Sequence, residues 1–282
     1  MTSRVAIATC QDLYVDEDTP LLLEALSAAG VEADLLAWDD PEAHWDRYDL
    51  TVVRSTWDYS ARRDEFLAWT RSVPSLANPA SVIAWNTDKH YLRELSQRDV
   101  RIIPTTFADV GIEPIFPTGD FVVTPAVGAG SIDAERYGTH DHAAAAEHVR
   151  RLHREDRDVI VQPYVASIDD EGELALVFID GEFTHALRKG AMLNTHEHDR
   201  SQLFRAEQMR LIDVSDELVT LAHAVIAAAT DETLLYTRVD LCRLDSGEYA
   251  LMELEMVEPS LFLTHWPSAA ATLARAIARR KA

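Results

Sequence analysis

The dipeptide Asp180-Gly181 separates the apolar run Leu174 to Ile179 from Glu182 to Leu187. Asp-Gly accepts the positive φ angles of a two-residue hairpin turn, so the flanking runs are predicted to pair as antiparallel strands. With only these two residues in the turn, Glu173 faces Arg188. Ala175, Val177, Thr184 and Ala186 share their face, and Leu174, Phe178, Phe183 and Leu187 take the other. Small neighbours beside a charge pair leave room for a ligand. The plainer alternative is a strand-end ion pair of little energetic worth.

A second hairpin is predicted around Asp245-Ser246-Gly247-Glu248. Taking Ser246-Gly247 as the loop, Asp240 lies opposite Glu253 and Arg238 opposite Glu255; a three-residue loop would shift this pairing by one. Opposed carboxylates on neighbouring strands normally repel. They are tolerated on a solvated face, or where a hard divalent cation gathers them; Mg²⁺ takes one or two carboxylates together with substrate phosphates. Arg238 then stands at the phosphate end. The grouping has the form of a metal–triphosphate site.

The first part of the chain reads differently. Residues 4–9, 31–37 and 50–54 are strand-like. A helix starts at Asp18-Thr19-Pro20 and stops at Gly30. This alternation predicts a small doubly wound unit. No Gly-x-Gly-x-x-Gly follows the first strand, which excludes a dinucleotide fingerprint there. Beyond Asn78-Pro79, helices are expected over 87–97 and 143–154, and strands over 121–125 and 159–162. A further helix is expected over 216–229.

The formal charge of −22 argues against nucleic acid as a partner. Against that background cations are informative, and only three are lysines: Lys89, Lys189 and Lys281. Lys281 belongs to a basic tail and reads as a solvated helix end. No apolar run approaches the ~18 residues needed to cross a bilayer. The N-terminus lacks the pattern of a signal peptide. A cytoplasmic protein is expected. Cys10 and Cys242 lie far apart and predict no disulfide framework.

In chain order, Lys89, Phe121-Val122-Val123-x-Pro125, Gly128-Ala129-Gly130-Ser131, Gln162-x-x-Val165, Glu173, Arg188-Lys189, Arg238-x-Asp240 and Glu253-x-Glu255 resemble the ATP-grasp ligases. The resemblance spans roughly residues 85–265. It implies an α/β chain with an α+β C-terminal part, namely an ATP-grasp fold behind a small N-terminal doubly wound domain. The expected units are 1–82, 83–165 and 166–282. ATP and one or two Mg²⁺ are the implied cofactors, held at Asp240, Glu253 and Glu255. Lys89 and Arg238 are expected on the phosphates, and Gln162, Pro163, Tyr164 and Val165 on adenine. Glu173 is expected on the ribose, and the loop from Gly128 through Gly130 and Ser131 over the phosphates. Arg188 and Lys189, with Arg238, are the expected catalytic cations.

Two departures stand out. Thr124 occupies the strand position where the family usually has a phosphate-binding lysine, and Glu255 replaces its usual asparagine. Arg54-Ser55-Thr56-Trp57-Asp58-Tyr59, Trp85-Asn86-Thr87-Asp88-Lys89 and Glu258-Pro259-Ser260-Leu261 resemble a bacterial branch of the family. That branch includes the cyclo-ligase acting on O-ureido-serine in D-cycloserine biosynthesis. A small amino-acid-like substrate follows, with no nucleic acid or membrane partner, and a homodimer is compatible with the chain.

Arg54, Ser55, Thr56, Asp58 and Arg62 follow the third strand, where open α/β sheets place ligands. They are substrate candidates, or else a polar loop capping the next helix. Asp16 and Asp18 either cap the first helix or receive an amine. His196, His198 and Asp199 imitate metal-ligand spacing but read as an acidic loop.

Overall fold

The computed structural model describes residues 3–12, 16–190 and 209–280. His196, His198, Asp199 and Lys281 lie outside the described residues.

Val5, Ala6, Ile7 and Ala8 in β1 (Ser3–Thr9) are fully buried, as suits a strand covered on both faces. α1 (Thr19–Ala28) carries Pro20 in its first turn, and Gly30 follows it at φ +73°. β2 (Val31–Ala37) and β3 (Leu50–Val53) flank β1 in parallel. α1 packs Leu22 and Leu26 against Val5, Ile7 and Val52. α2 (Arg63–Ser72) and α3 (Ala80–Asn86) pack Phe66, Trp69 and Ile83 with Ala8 and Val53 on the opposite face. The unit is doubly wound.

The expected helix over 87–97 is interrupted. α4 spans only Tyr91–Gln97. Asp88 Oδ1 accepts the His90 N–H at 3.0 Å, a local bond that competes with helical bonding. Lys89 therefore sits at a break between helices, its N–H donating to Ala126 O at 2.8 Å.

β4 (Thr106–Ala108), β5 (Phe121–Pro125), β6 (Glu135–Tyr137) and β7 (Val159–Pro163) form an antiparallel sheet ordered β4-β7-β5-β6. α5 (His142–Arg154), which lies between β6 and β7 in the chain, packs Ala145, Val149 and Leu152 with Phe121, Val123, Val159 and Val161. By strand alternation Val122, Thr124 and Gln162 face the other way. A single helical turn, α6 (Ser167–Glu171), leads to the third sheet.

That sheet has the order β10-β9-β8-β11-β12. Its strands are β8 (Glu173–Ile179), β9 (Glu182–Lys189), β10 (Met209–Ile212), β11 (Tyr236–Arg243) and β12 (Tyr249–Glu255). α7 (Asp216–Ala229) lies between β10 and β11 and is capped by Ser215, whose side chain accepts from Leu218 N at 3.4 Å. It packs Ala222 and Val225 with Leu176, Phe178 and Val239. The opposite face places Ala175, Val177 and Leu187 in the same core as β1 and α1. α8 (Pro267–Arg280) joins this core through Leu273 and Ile277, and packs against α1 and β8.

Both hairpins contain a bulge, and the bulges decide the site. Asp180 and Gly181 have φ of +55° and +81°, as a two-residue turn of this type requires. Phe178 then pairs with Phe183, but Val177 pairs with His185, leaving Thr184 as an extra residue. Beyond the bulge, Glu173 pairs with Lys189 and Leu174 with Arg188. The expected Glu173–Arg188 pairing is thus corrected, because a one-residue slip moves every later side chain to the other face. In the second hairpin the loop is Asp245-Ser246-Gly247, with Leu244 and Glu248 bonded across it at 2.8 Å and Gly247 at φ +87°. The resulting shift is reversed at Met252, between the Leu241–Leu251 and Asp240–Glu253 pairs. Arg238–Glu255 and Asp240–Glu253 therefore form as expected, through two irregularities that cancel.

His185 lies buried in β9, with Nε2 donating to Leu261 O at 3.0 Å. Burial, with His265 adding to it, lowers its imidazole to about 4, against the pull of the Leu261 bond. Below the ordinary value of about 6.5 the unfolded chain takes up a proton that the fold refuses. Stability from this residue is complete above that pH and is lost as pH falls toward 4. Moving from pH 7 to pH 5 is expected to cost about 2 kcal/mol through His185. In His185→Gln, which keeps a donor for Leu261, the difference between urea-unfolding free energies at the two pH values should shrink by that amount. An unchanged difference would refute the assignment.

Candidate active site

β11 and β12 carry the acids on one face. Asp240 is buried, while Glu253 and Glu255 keep about a third of their side chains exposed. Oxygens from all three lie within 4.8 Å of one another. One other His/Asp group among the described residues is as close, His90 with Asp109 and Asp158, and it lies outside the cleft described below.

Three cations neutralise the acids. Arg238 lies two residues from Asp240 on the same strand face and meets it through Nε at 2.8 Å and Nη2 at 2.9 Å. It also pairs with Glu255 and donates Nη1 to Ser260 O at 3.1 Å. Lys189, brought to this face by the Thr184 bulge, sits 2.8 Å from Asp240 and 3.0 Å from Glu173. Lys89 reaches Glu253 from the break before α4.

Burial would raise the Asp240 carboxyl, but Arg238 and then Lys189 outweigh it and hold it low. Burial also pushes on Glu253, and Lys89 reverses the direction. Glu255 goes up to about 7: burial leads and outweighs the pull of Arg238, with Glu253 and Asp240 adding to the rise. Glu258 is pushed up to about 8 by burial, then by Glu255 and Glu253. The acids crowd beyond what their cations neutralise, a state that an added cation relieves.

Glu253, Glu255, Glu258 and the three cations open on a cleft of about 720 Å³, while Asp240 is buried against Arg238 and Lys189 and does not line it. Its apolar end lies between the second and third sheets, among Val122, Ile160, Ile168 and Met252, beside Gln162, Pro163, Tyr164 and Val165. Gln162 Nε2 donates to Thr105 Oγ1 at 2.9 Å, and the Arg136 guanidinium covers the Tyr164 ring at 3.5 Å. Thr124 and the turn Gly128 to Ser131 line the wall between this end and the acids, with Gly130 at φ +59°. The cleft's lysines and arginines are Lys89, Lys189 and Arg238.

Other sequence candidates are placed elsewhere. Arg188 does not line the cleft; its guanidinium donates to Glu171 O on the far face of the strand. Arg54 is buried and bonds Asp16 at 3.1 Å and Pro259 O at 2.9 Å. Ser55 bonds Thr9 at 2.7 Å, and Thr56 is buried behind the wall. Asp58 holds Trp38 Nε1 and Arg62. None of Arg54, Ser55, Thr56 and Asp58 lines the cleft, because the first three are buried and Asp58 turns to Trp38 and Arg62. The neighbouring Trp57 and Tyr59 do line it, as do Asp16, Glu17 and Asp18. Asp18 makes no side-chain cap to α1; its Oδ1 accepts from Thr264 N at 3.0 Å. Glu258, Phe262 and Thr264 were not assigned a role from sequence, although the motif starting at Glu258 marks the segment that brings them in.

Known proteins resemble this chain along nearly its full length. Residues 5–79 match the family described as D-cycloserine synthetase DcsG, N-terminal domain. The cycloserine biosynthesis protein DcsG of Streptomyces lavendulae is 36% identical over 286 residues, covering 95% of each chain. The crystal structure of D-cycloserine synthetase DcsG superposes with a TM-score of 0.88 at 32% identity, over 99% of this chain and 100% of that one. The D-alanine–D-alanine ligase of Bacillus anthracis complexed with ATP shares the fold, with a TM-score of 0.68 at 14% identity and coverage of 99% and 97%. The ATP-grasp ligase PsnB, complexed with its minimal precursor, Mg and ADP, does so at 0.65 and 16%, with coverage of 100% and 98%.

Proposed function

The chain belongs to the family of the D-cycloserine synthetase DcsG, and from this premise we propose that it closes O-ureido-D-serine into the ring of D-cycloserine at the expense of ATP. The observation that carries the reading is the cluster of Asp240, Glu253 and Glu255, in which Glu253 and Glu255 line one cleft with Arg238 and Lys89 and the buried Asp240 lies against Arg238 and Lys189. The fold is that of ATP-grasp ligases.

An all-oxygen donor set of three carboxylates suits Mg²⁺, and these residues would hold one or two ions. Bound there, Mg²⁺ would neutralise charge on the transferring phosphoryl group. Arg238 and Lys89 meet phosphate oxygens from the acid end, and the Gly128–Ser131 turn covers them. The slot beside Gln162, Pro163, Tyr164 and Val165 takes adenine, and Glu173 with Lys189 lies towards the ribose. Residues 1–82, 83–165 and 166–282 act as three units that meet at the cleft.

In the reaction, a substrate carboxylate oxygen attacks the γ-phosphorus and ADP leaves. The oxyamine nitrogen of the same molecule then attacks the acyl carbon, phosphate leaves, and the nitrogen gives up its proton. Water removes the carbamoyl group from the closed ring as carbamate. This chemistry needs positioning and charge neutralisation rather than a protein nucleophile. Incubation of the protein with Mg·ATP and O-ureido-D-serine should release ADP and yield D-cycloserine by mass. ADP release only with two joined substrates would make it an intermolecular amide ligase, and no substrate-dependent ADP with either would end the proposal.

Thr124 lines the cleft with no cation beside it on the strand. Thr124→Lys is expected to tighten ATP binding by about tenfold, the value of one added charge-assisted contact. Calorimetric titration with Mg·ADP and Mg·ATP measures it; unchanged or weaker binding would show that the phosphates lie away from this position.

A further inference from the structure

We propose that Asp18, supported by Asp16, forms the subsite for the substrate's α-ammonium group, an inference that rests on the amino-acid substrate proposed above. Asp16 and Asp18 line the cleft and are 5% and 4% exposed. Three of their four carboxylate oxygens have donors. Asp16 Oδ1 accepts the Asp18 N–H at 3.0 Å, and Asp16 Oδ2 accepts Arg54 Nη2 at 3.1 Å. Asp18 Oδ1 accepts the Thr264 N–H at 3.0 Å. The fourth oxygen, Asp18 Oδ2, is buried and accepts no hydrogen bond among the described residues. Arg54 Nη2 stands 3.9 Å from it, beyond hydrogen-bond reach, with its own bonds directed to Asp16.

A buried acceptor with no donor is costly, and more so when charged. The charge count is also unequal, with two carboxylates against one guanidinium. Burial and then Asp16 raise the Asp18 carboxyl, and Arg54, which bonds Asp16, offsets the rise only in part together with the Leu263 and Thr264 backbone. An ammonium group supplies both the positive charge and the missing N–H. A divalent metal fits poorly, because one oxygen is free and a guanidinium lies beside it.

The fold ties this corner to the acyl-transfer site. The segment after β12 carries Ser260, whose carbonyl takes a bond from Arg238, and four residues later Thr264, which bonds Asp18. Pro259 O is held by the same Arg54 that bonds Asp16. One stretch of chain therefore borders both the phosphate-side cation and the free carboxylate oxygen.

The test compares O-ureido-D-serine with its desamino analogue, ureidooxypropanoate, in the native enzyme and in Asp18→Asn. Asparagine keeps an oxygen for the Thr264 N–H and removes the charge. The native enzyme should prefer the amine-bearing compound by about 10- to 100-fold in kcat/KM, the value of a charge-assisted hydrogen bond. In Asp18→Asn that preference should fall to within a fewfold, with KM for ATP unchanged. An undiminished preference in the variant overturns the subsite and leaves the cyclisation reading intact. If the native enzyme turns over neither compound, the cyclisation reading fails by itself. The subsite is then read by calorimetry with Mg·ADP: amine-dependent binding lost in Asp18→Asn supports it, and equal binding of both compounds to the native protein overturns it.

Discussion

Glu253→Gln lowers kcat on the order of 10³-fold and raises the Mg²⁺ concentration needed for half-maximal rate, the loss expected when a group stabilising transferring charge is removed. Glu253 lies directly opposite Asp240 on the neighbouring strand and holds Lys89. Glutamine keeps the shape and one acceptor oxygen, so Lys89 stays hydrogen-bonded and the pairing register is retained. What is lost is a charge that draws in a hard cation. Removing it also relieves the crowding that pushes up Glu255 and Glu258. The metal-free protein should therefore melt within a few degrees of the native one, which separates a lost site from a lost fold. ADP release followed across a Mg²⁺ titration, beside a melting curve without metal, checks both halves. A loss below tenfold at saturating Mg²⁺ would remove Glu253 from the metal site.

The cations already lie on the acids that Mg²⁺ would take. Lys89 rests on Glu253, and Arg238 on Asp240 and Glu255. Side chains that neutralise crowded carboxylates in the free protein would be released for phosphate oxygens if a metal took over that task. Such an exchange of partners lets the cleft hold several acids without an ion and still bind an anionic nucleotide. It also gives physical content to the scarcity of lysines: both described lysines, Lys89 and Lys189, are spent here.

Parity along β11 and β12 made the carboxylate cluster legible before any coordinates, because alternation is a strong local rule. Register was less legible. In the first hairpin the Thr184 bulge put Lys189, not Arg188, beside Glu173, and no turn rule counts residues past a bulge. In the second, the shift at the loop and that at Met252 cancelled, so the correct pairing came from an incomplete premise. The cleft-lining residues after β3 differ from the expected ones by one step for a similar reason. A loop carries no period to say which side chains face inward: Arg54, Ser55 and Thr56 are buried and Asp58 holds Trp38 and Arg62, which leaves Trp57 and Tyr59 on the cleft. β4 and β6, three residues each, are too short to show any alternation.

Lys189→Met is expected to destabilise the protein by about 3–5 kcal/mol, the cost of leaving a buried charge without its partner. Lys189 is nearly fully buried between Asp240 and Glu173. Asp240 retains Arg238, whereas the one ion pair of Glu173 among the described residues is with Lys189. Burial raises the Glu173 carboxyl and Lys189 opposes that rise. Methionine fills much of the lysine stem's volume, so packing loss is small beside the electrostatic loss. Gly172, at φ +71° with Lys189 O only 2.3 Å from where a Cβ would stand, fixes the backbone here and leaves little freedom for relaxation. The second substitution isolates the cause. Lys189→Met with Glu173→Gln removes the stranded charge and should recover about half of the loss, although activity stays low because Asp240 has lost one of its two cations. Urea-unfolding midpoints of the two single variants and the double variant form the cycle. If the double variant is as unstable as the sum of the singles, Lys189 does not act by neutralising Glu173, and its burial beside Asp240 alone accounts for its place in the site.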